Sequence, residues 1–448
     1  MNRKYFGTDG VRGRFGGDLI NPEFARRLGR AAGGAFAALE NGAPRSAVVG
    51  RDTRASGIEL EDGVVAGLAE SGIDVLRIGV APTPAVALAA MHFRTGMGVV
   101  VTASHNPADD NGIKFFSGAG LKLTDEAEAE IEVRLDHPGS RVAYGAPGVV
   151  KDTAGLSFYE EKMARVLPPG ALSGWKIVLD TANGAAFRTA PAILAGLGAR
   201  FFQMGDSPDG RNINEGLGSQ HPEAMGERVR AAGADLGIAL DGDGDRLVLA
   251  DENGSVLSGD ELLTVLALSA MEEGRLAHNT LVVTEQSNLG VDEAVGNAGG
   301  RVERTGIGDR HVIARMRSGG FNLGGESSGH ILFPELSPAG DGMLAVLKTI
   351  EVMLRTGRPL SELRRALRHY PQVTSTLRVG EKPEIGTLVH LTATMREARA
   401  VLGNEGRVFV RYSGTEPKLR LLVEGREEAV ISKWMTKLRE SAASDGLG

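Results

Sequence analysis

The chain has 448 residues, 42% hydrophobic and 24% charged, with a formal net charge of −7. That length suggests three or four domains with ample material for packed cores, and the acidic balance disfavours a broad surface for nucleic acid or anionic membrane. Cysteine is absent, which excludes disulfides, thiol nucleophiles and thiolate-held metals, while 63 glycines imply many tight turns or close backbone approaches.

The opening stretch from Met1 to Gly7 runs into charge and glycine where a signal peptide would need an apolar segment. No apolar run elsewhere reaches spanning length, so a cytoplasmic protein is expected. Short apolar strands ending in polar loops then recur. Ala47-Val48-Val49 leads into the loop from Gly50 to Gly57, after which Leu60, Val64 and Leu68 recur at helical spacing. Val99-Val100-Val101 leads into Thr102-Ala103-Ser104-His105-Asn106-Pro107, Ile177-Val178-Leu179 into Asp180-Thr181-Ala182-Asn183-Gly184, Leu281-Val282-Val283 into a loop ending at Asn288, and Phe321-Asn322-Leu323 into Gly324 to His330. The recurrence predicts successive α/β domains, with ligand loops at the carboxyl ends of strands around one cleft. Turn-rich seams fall between His137 and Gly148, near Asn253-Gly254, and on the approach to Pro371. The last quarter differs in kind: Val408 to Tyr412 and Lys418 to Val423 read as a hairpin around Ser413-Gly414-Thr415-Glu416-Pro417, in a small α+β domain closed by a C-terminal helix.

The most informative stretch is Asp241-Gly242-Asp243-Gly244-Asp245-Arg246. Three carboxylates that close together repel, and a divalent cation such as Mg²⁺, Mn²⁺ or Ca²⁺ compensates them, while the glycines let the backbone curl until all three point at one spot. A calcium loop of the EF-hand type also begins with alternate aspartates and would place Glu252 at its twelfth position. Its sixth position needs glycine, however, and Arg246 stands there, between apolar flanks that read as strands rather than helices.

Ser104 offers a hydroxyl that suits a nucleophile, a phosphate carrier, a metal ligand or a turn satisfying itself. The turn around Ser413, Gly414 and Thr415, with Arg411 and Arg420 on its flanking strands, has the makings of a phosphate cradle. No Walker-type or dinucleotide-binding glycine motif accompanies it, so nucleotide phosphates are not the obvious ligand. Glu326, Ser328 and His330 alternate along a glycine-flanked loop, where a carboxylate with a hydroxyl suits sugar hydroxyls and a histidine suits proton movement.

Taken in order, these loops resemble the α-D-phosphohexomutase superfamily over essentially the whole chain: Thr-Ala-Ser-His-Asn-Pro, Asp-Gly-Asp-Gly-Asp-Arg, Gly-Glu-x-Ser-Gly-His and Arg-x-Ser-Gly-Thr-Glu-Pro. Tyr5 to Gly13, Asp110 to Ser117, Ile213-Asn214 with Gly218-Ser219, and Thr305 to Arg310 are similar to the branch acting on glucosamine phosphate. Departures are Ser327 where that branch usually has glutamine, Val101-Thr102 for Ile-Ser, and Leu217 for a common cysteine; Ser327 leaves open a phosphomannomutase or phosphoglucomutase preference.

The resemblance implies three similar mixed-sheet α/β domains (1–152, 153–254, 255–368) and a C-terminal α+β domain (369–448) around one cleft. It implies a phosphorylated Ser104 that, with Asp241, Asp243 and Asp245, holds one Mg²⁺ per chain. Phosphate would pass to glucosamine 6-phosphate and return from a 1,6-bisphosphate, which also serves as activator, giving glucosamine 1-phosphate for UDP-N-acetylglucosamine and cell-wall precursor synthesis. Arg411, Ser413, Gly414, Thr415 and Arg420 would clamp the unreacting phosphate, Glu326 and Ser328 the ring hydroxyls, and Arg246 the phosphate in transit. Arg12 and Lys114 match basic residues near the phosphoserine, and His330, His105 and Lys114 are candidates for proton transfer. The expected partner is a small phosphosugar, with no nucleic acid and no membrane; a homodimer is admitted but not required. A Mg²⁺-dependent sugar phosphatase or a silent phosphosugar-binding regulator would share some of these features.

Overall fold

In the computed structural model, which describes residues 4–7, 9–39, 44–137, 146–153, 155–413 and 417–447, the continuous apolar runs become central strands. Parallel strands covered on both faces require such runs rather than alternation. Met97–Val101 and Ser46–Arg51 lie parallel at the heart of a six-stranded sheet ordered Val11–Arg14, Asp110–Ser117, Met97–Val101, Ser46–Arg51, Asp74–Val80, Val150–Asp152. Asp110–Ser117 runs antiparallel to both its neighbours. The helices Pro22–Leu39 and Gly57–Glu70 pack against each other so closely that a Cβ on Gly67 would stand 2.0 Å from the Arg26 carbonyl oxygen.

A second sheet is ordered Val256–Leu257, Leu247–Ala250, Leu236–Leu240, Lys176–Asp180, Arg200–Met204. Asn253-Gly254 forms a tight hairpin turn inside it, with Gly254 at φ +72° and its amide donating to Asp251 O at 2.7 Å. The third sheet is ordered Arg301–Thr305, Thr280–Thr284, Gly324–Gly325, Ile331–Leu332.

One expectation is corrected here: Phe321 to Leu323 is not a strand. Phe321 is buried with Val312 and Met316 instead, and the pairing falls to the two glycines after it. A Cβ on Gly324 would meet Val282 O at 2.7 Å, so only glycine enters the ladder there.

The chain divides into two compact units, one of residues 1–286 with 302–366 and one of 287–301 with 367–448. The first carries the three sheets just described. The second holds an antiparallel sheet of Gln372–Arg378, Lys418–Gly425 and Gly406–Tyr412. Residues from Val389–Leu402 and Glu428–Ser444 cover it, with Leu391, Leu419, Val423, Ile431 and Leu438 fully buried. Leu289–Asn297 belongs with this unit: the Leu289 amide donates to the Glu424 carboxylate at 2.8 Å, and the Asn288 side chain exchanges two hydrogen bonds of 2.9 Å with the Tyr370 backbone. Among the described residues no helix is long and apolar enough to cross a membrane.

One helix start bears directly on the acidic loop. Gly342–Thr356 begins against it, with the Gly342 amide donating to Gly244 O at 3.1 Å, and a Cβ on Gly342 would lie 2.9 Å from Arg246 O. Asp341 caps that helix by accepting from Leu344 N at 3.0 Å and from the Tyr159 hydroxyl at 3.0 Å. Burial outweighs these bonds and pushes the Asp341 carboxyl up to about 6. An acid whose pKa is higher folded than unfolded favours the native state when protonated, so its stability contribution falls as pH rises from about 4 to about 6, by about 3 kcal/mol. Asp341→Asn retains the cap oxygen, and urea unfolding across that window should show the fall in wild type and its loss in the variant.

Candidate active site

The site is built from loops at the carboxyl ends of strands in the first unit. Ser104 follows Met97–Val101 and is fully buried with φ +54°, a left-handed conformation that costs a non-glycine residue on the order of 1–3 kcal/mol and persists only where its surroundings impose it. Those surroundings are explicit. The Ser104 amide donates to Thr102 Oγ1 at 2.9 Å, whose hydroxyl donates to Asp52 Oδ2 at 2.7 Å, and Asp52 in turn accepts from Arg54 Nε at 2.8 Å. The Arg54 guanidinium then donates to the carbonyls of Ser104 (3.0 Å), Asn106 (2.7 Å), Asp110 (2.8 Å) and Pro107. Asn214 adds bonds to the carbonyls of Ser104 and Asn106 at 2.9 and 3.0 Å. Arg54 and Asp52 are both 0% exposed.

The acidic loop is equally pinned. Gly242 O accepts from Ala185 N at 2.8 Å, Asp243 O from Thr83 N at 2.9 Å, and the turn closes with Gly244 N to Asp241 O at 3.0 Å. A Cβ on Gly242 would fall 2.6 Å from Ser104 O, so the missing side chain is what lets the two loops touch. At that contact Ser104 Oγ donates to Asp241 Oδ2 at 2.7 Å.

Ligand oxygens of Asp241, Asp243 and Asp245 lie within 4.8 Å of one another, all buried. Asp243 Oδ1 and Asp245 Oδ1 have no hydrogen-bond partner, an arrangement that fits a hard divalent cation bound through oxygen. Lys114 Nζ sits 2.8 Å from Asp243 Oδ2 and 3.6 Å from Asp245 Oδ2, and Thr83 Oγ1 donates to Asp243 Oδ2 at 2.6 Å. Burial together with Asp243 and Asp245 pushes the Asp241 carboxyl well up. For Asp243 burial acts upward too, but Lys114 overcomes it and holds that carboxyl down. Lys114 itself is raised, because Asp243, Asp9 and Asp245 outweigh its own burial.

The structure brings the candidates from the sequence together as follows. His105 Nδ1 lies 3.3 Å from Ser104 Oγ and 3.3 Å from an Arg246 nitrogen, and burial, then Arg246 and Arg12, push its pKa down to about 4. Arg246 is 3.9 Å from Asp245, and its amide donates to Asp241 Oδ1 at 3.2 Å. Arg12 pairs with Asp9, which also holds Lys114 at 2.8 Å. Glu326 and His330 are buried, Glu326 accepting from Gly308 N at 3.0 Å, whereas Ser328 is exposed rather than turned inward with them.

In the second unit Arg411 and Arg420 stand directly opposite in register, and Ser413 O accepts from Lys382 Nζ at 2.7 Å. Gly414 and Thr415 lie outside the described residues. Reading the sequence missed Arg54, Asp52, Thr83, Asp9, Lys122 and Lys382. The Arg51-Asp52-Thr53-Arg54 loop was visible as a strand-end loop, but nothing in it marks one arginine as wholly buried.

A buried hydroxyl held against carboxylates that suit a hard cation, with arginine and lysine close by, fits the transfer of phosphoryl groups. Comparison with known proteins agrees. The phosphoglucomutase/phosphomannomutase alpha/beta/alpha domains I, II and III match residues 3–141, 160–254 and 258–370, and that family's C-terminal domain matches 376–441. The chain belongs to this phosphohexomutase family.

Among its relatives, the phosphoglucosamine mutase of Syntrophotalea carbinolica is 44% identical over 441 residues, covering 96% of this chain and 95% of its own. That of Cereibacter sphaeroides strain ATCC 17025 is 46% identical over 436 residues, covering 96% and 97%. A crystal structure of a phosphoglucomutase/phosphomannomutase family protein from Burkholderia thailandensis superposes with a TM-score of 0.84 at 24% identity, over 98% of this chain and 97% of that one. The Aspergillus fumigatus N-acetylphosphoglucosamine mutase, solved with GlcNAc-6P and magnesium, gives 0.67 at 18% identity, over 99% and 96%.

Two substitutions test the construction. Arg54→Met strips the partner from buried Asp52 and four carbonyls, and urea unfolding should show a loss of about 3–5 kcal/mol. Asp243→Asn removes one charge from the trio, and calorimetric titration should show Mg²⁺ binding weakened roughly a hundredfold, the scale on which ligand charge separates tight from weak oxygen sites.

Proposed function

We propose that this chain is a phosphoglucosamine mutase that interconverts glucosamine 6-phosphate and glucosamine 1-phosphate through a phosphorylated Ser104. The observation that carries the reading is Ser104 Oγ, held in a strained, pinned turn 2.7 Å from Asp241 of the buried aspartate trio. Relatives named phosphoglucosamine mutase over nearly the full chain support the amino-sugar substrate.

In the forward direction the bond from phosphorus to Ser104 Oγ breaks while one forms to the sugar 1-hydroxyl oxygen. That hydroxyl gives its proton to a base, and Oγ takes one up. The bisphosphorylated sugar then presents its 6-phosphate, the same events run in reverse onto Ser104, and glucosamine 1-phosphate leaves. Phosphorylated Ser104 with Asp241, Asp243 and Asp245 would hold one Mg²⁺, which when bound neutralises charge on the group in transit.

Of the candidates His330, His105 and Lys114, His105 is the one within hydrogen-bond range of Oγ, at 3.3 Å, and would exchange the proton there. Arg246, against Asp245 and His105, would meet the transferring phosphate, and Arg12 and Lys114, both paired with Asp9, would add positive charge near it. Glu326 and Ser328 would hold ring hydroxyls. Arg411, Ser413, Gly414, Thr415 and Arg420 would clamp the phosphate that is not reacting, so that the substrate's binding energy orients whichever end faces Ser104. We take 1–152, 153–254, 255–368 and 369–448 as the domains, a sugar 1,6-bisphosphate as activator, and the cytoplasm as the compartment.

Intact mass of fresh protein should show a fraction heavier by one phosphate, absent in Ser104→Ala, and that variant should lose turnover. Wild type, supplied with catalytic sugar bisphosphate, should favour glucosamine 6-phosphate over the glucose and mannose 6-phosphates by roughly tenfold or more in kcat/KM. Release of inorganic phosphate in place of isomerisation would make the protein a phosphatase.

A further inference from the structure

The loop from Thr305 to Arg310 stands out in the sequence, yet the chemistry above gives it no part. In the structure it contacts both halves of the sugar loop Gly325 to His330. Its Gly308, at φ +114°, donates its amide to Glu326 Oε1 at 3.0 Å. Its Asp309 lies 3.5 Å from His330 Nε2, and a Cβ on Gly340 would stand 1.9 Å from the same nitrogen, so the imidazole is walled in with that edge toward Asp309.

Asp309 is the end of a longer series. From Asp243 Oδ2 the contacts run to Lys114 Nζ (2.8 Å), Asp9 Oδ2 (2.8 Å), then from Asp9 Oδ1 to Lys122 Nζ (2.5 Å), Asp309 Oδ2 (2.7 Å) and His330. Charge alternates from Asp243 to Asp309, with the His330 imidazole at the far end, and no member is more than 19% exposed. We propose that Lys122 and Asp309 are positioning residues, which set Glu326 and His330 of the sugar loop against the Ser104 site through this buried chain of alternating charge; the role rests on the mutase reading.

Two physical arguments support it. Apolar side chains would hold the segments together with less desolvation cost than buried ions, so what the ions add is direction and spacing. Each member also depends on its neighbours: burial alone would push Asp309 up, and Lys122 with His330 hold it down to about 2. Burial likewise acts to lower Lys122, and Asp309 and Asp9 reverse that. Removing Lys122 or Asp309 therefore frees the His330 end, while Asp9 keeps Arg12 and Lys114, and Lys114 keeps Asp243, at the other. A sugar loop misplaced by about 1 Å costs on the order of a hundredfold in rate while leaving the phosphate donor intact.

The test is a double-mutant cycle of Lys122→Met and Asp309→Asn, assayed on glucosamine 6-phosphate in full-length protein. Phosphate on Ser104 and Mg²⁺ affinity should match wild type, kcat/KM should fall about ten- to a hundredfold, and free sugar bisphosphate released per turnover should rise several-fold. The double variant should be no worse than the poorer single one, because both break the same chain.

Arg310→Ala serves as control. It loosens the same seam, where Arg310 meets Asp125 at 2.6 Å and Glu128 at 3.0 Å, without touching His330, and it should retain the bisphosphate. Losses that multiply in the double variant, wild-type retention in both singles, or equal leakage from Arg310→Ala would each overturn the assignment. Should Asp309→Asn fail to fold, Lys122→Arg against Lys122→Met decides it: retention must survive the first and fail in the second. A wild type inert on glucosamine 6-phosphate would instead remove the mutase reading.

Discussion

Three carboxylates buried in one five-residue turn are the constraint around which the first unit is organised. Left alone they would repel, so the chain must supply both positive charge and backbone rigidity around them. Lys114, held between Asp243 and Asp9, supplies the charge. Rigidity comes from three directions: Thr83 from the first sheet's side, Ala185 from the second, and Gly342 at the start of a helix beside the third. The acidic loop is thus a shared fastening, and the accuracy with which its oxygens converge is a property of three sheets at once.

The same arrangement explains why a serine sits in a conformation that favours glycine. Ser104 must face Asp241 while its backbone touches Gly242, and no extended residue at the end of a strand does both. Arg54 supplies the restraint by binding carbonyls on both sides of the turn. A planar donor fork suits that task in a way that a lysine ammonium would not.

Much of this was legible in the sequence, for reasons that differ by residue. Continuous apolar runs such as Val99 to Val101 revealed buried strands because burial on both faces leaves no room for alternation. Asp241, Asp243 and Asp245 revealed themselves because carboxylates packed so densely need compensating positive charge, which a hard cation suits. Phe321 to Leu323 misled, since composition alone does not show that the following glycines offer the closer backbone approach. Arg54, Asp52 and Lys122 were hidden for a related reason: a charged residue in a polar loop looks like a solvated one until its partners, distant in sequence, are known.

The guanidinium behind the Ser104 turn has one more implication. Arginine keeps its proton throughout the biological pH range, and Arg54 grips main-chain oxygens rather than anything that changes as phosphate comes and goes. If Ser104 gains and loses a phosphoryl group as proposed, nothing in this grip would loosen the turn. In the proposed reaction, which must visit both ends of one sugar, the reorientation would then fall to the ligand and not to the Ser104 turn.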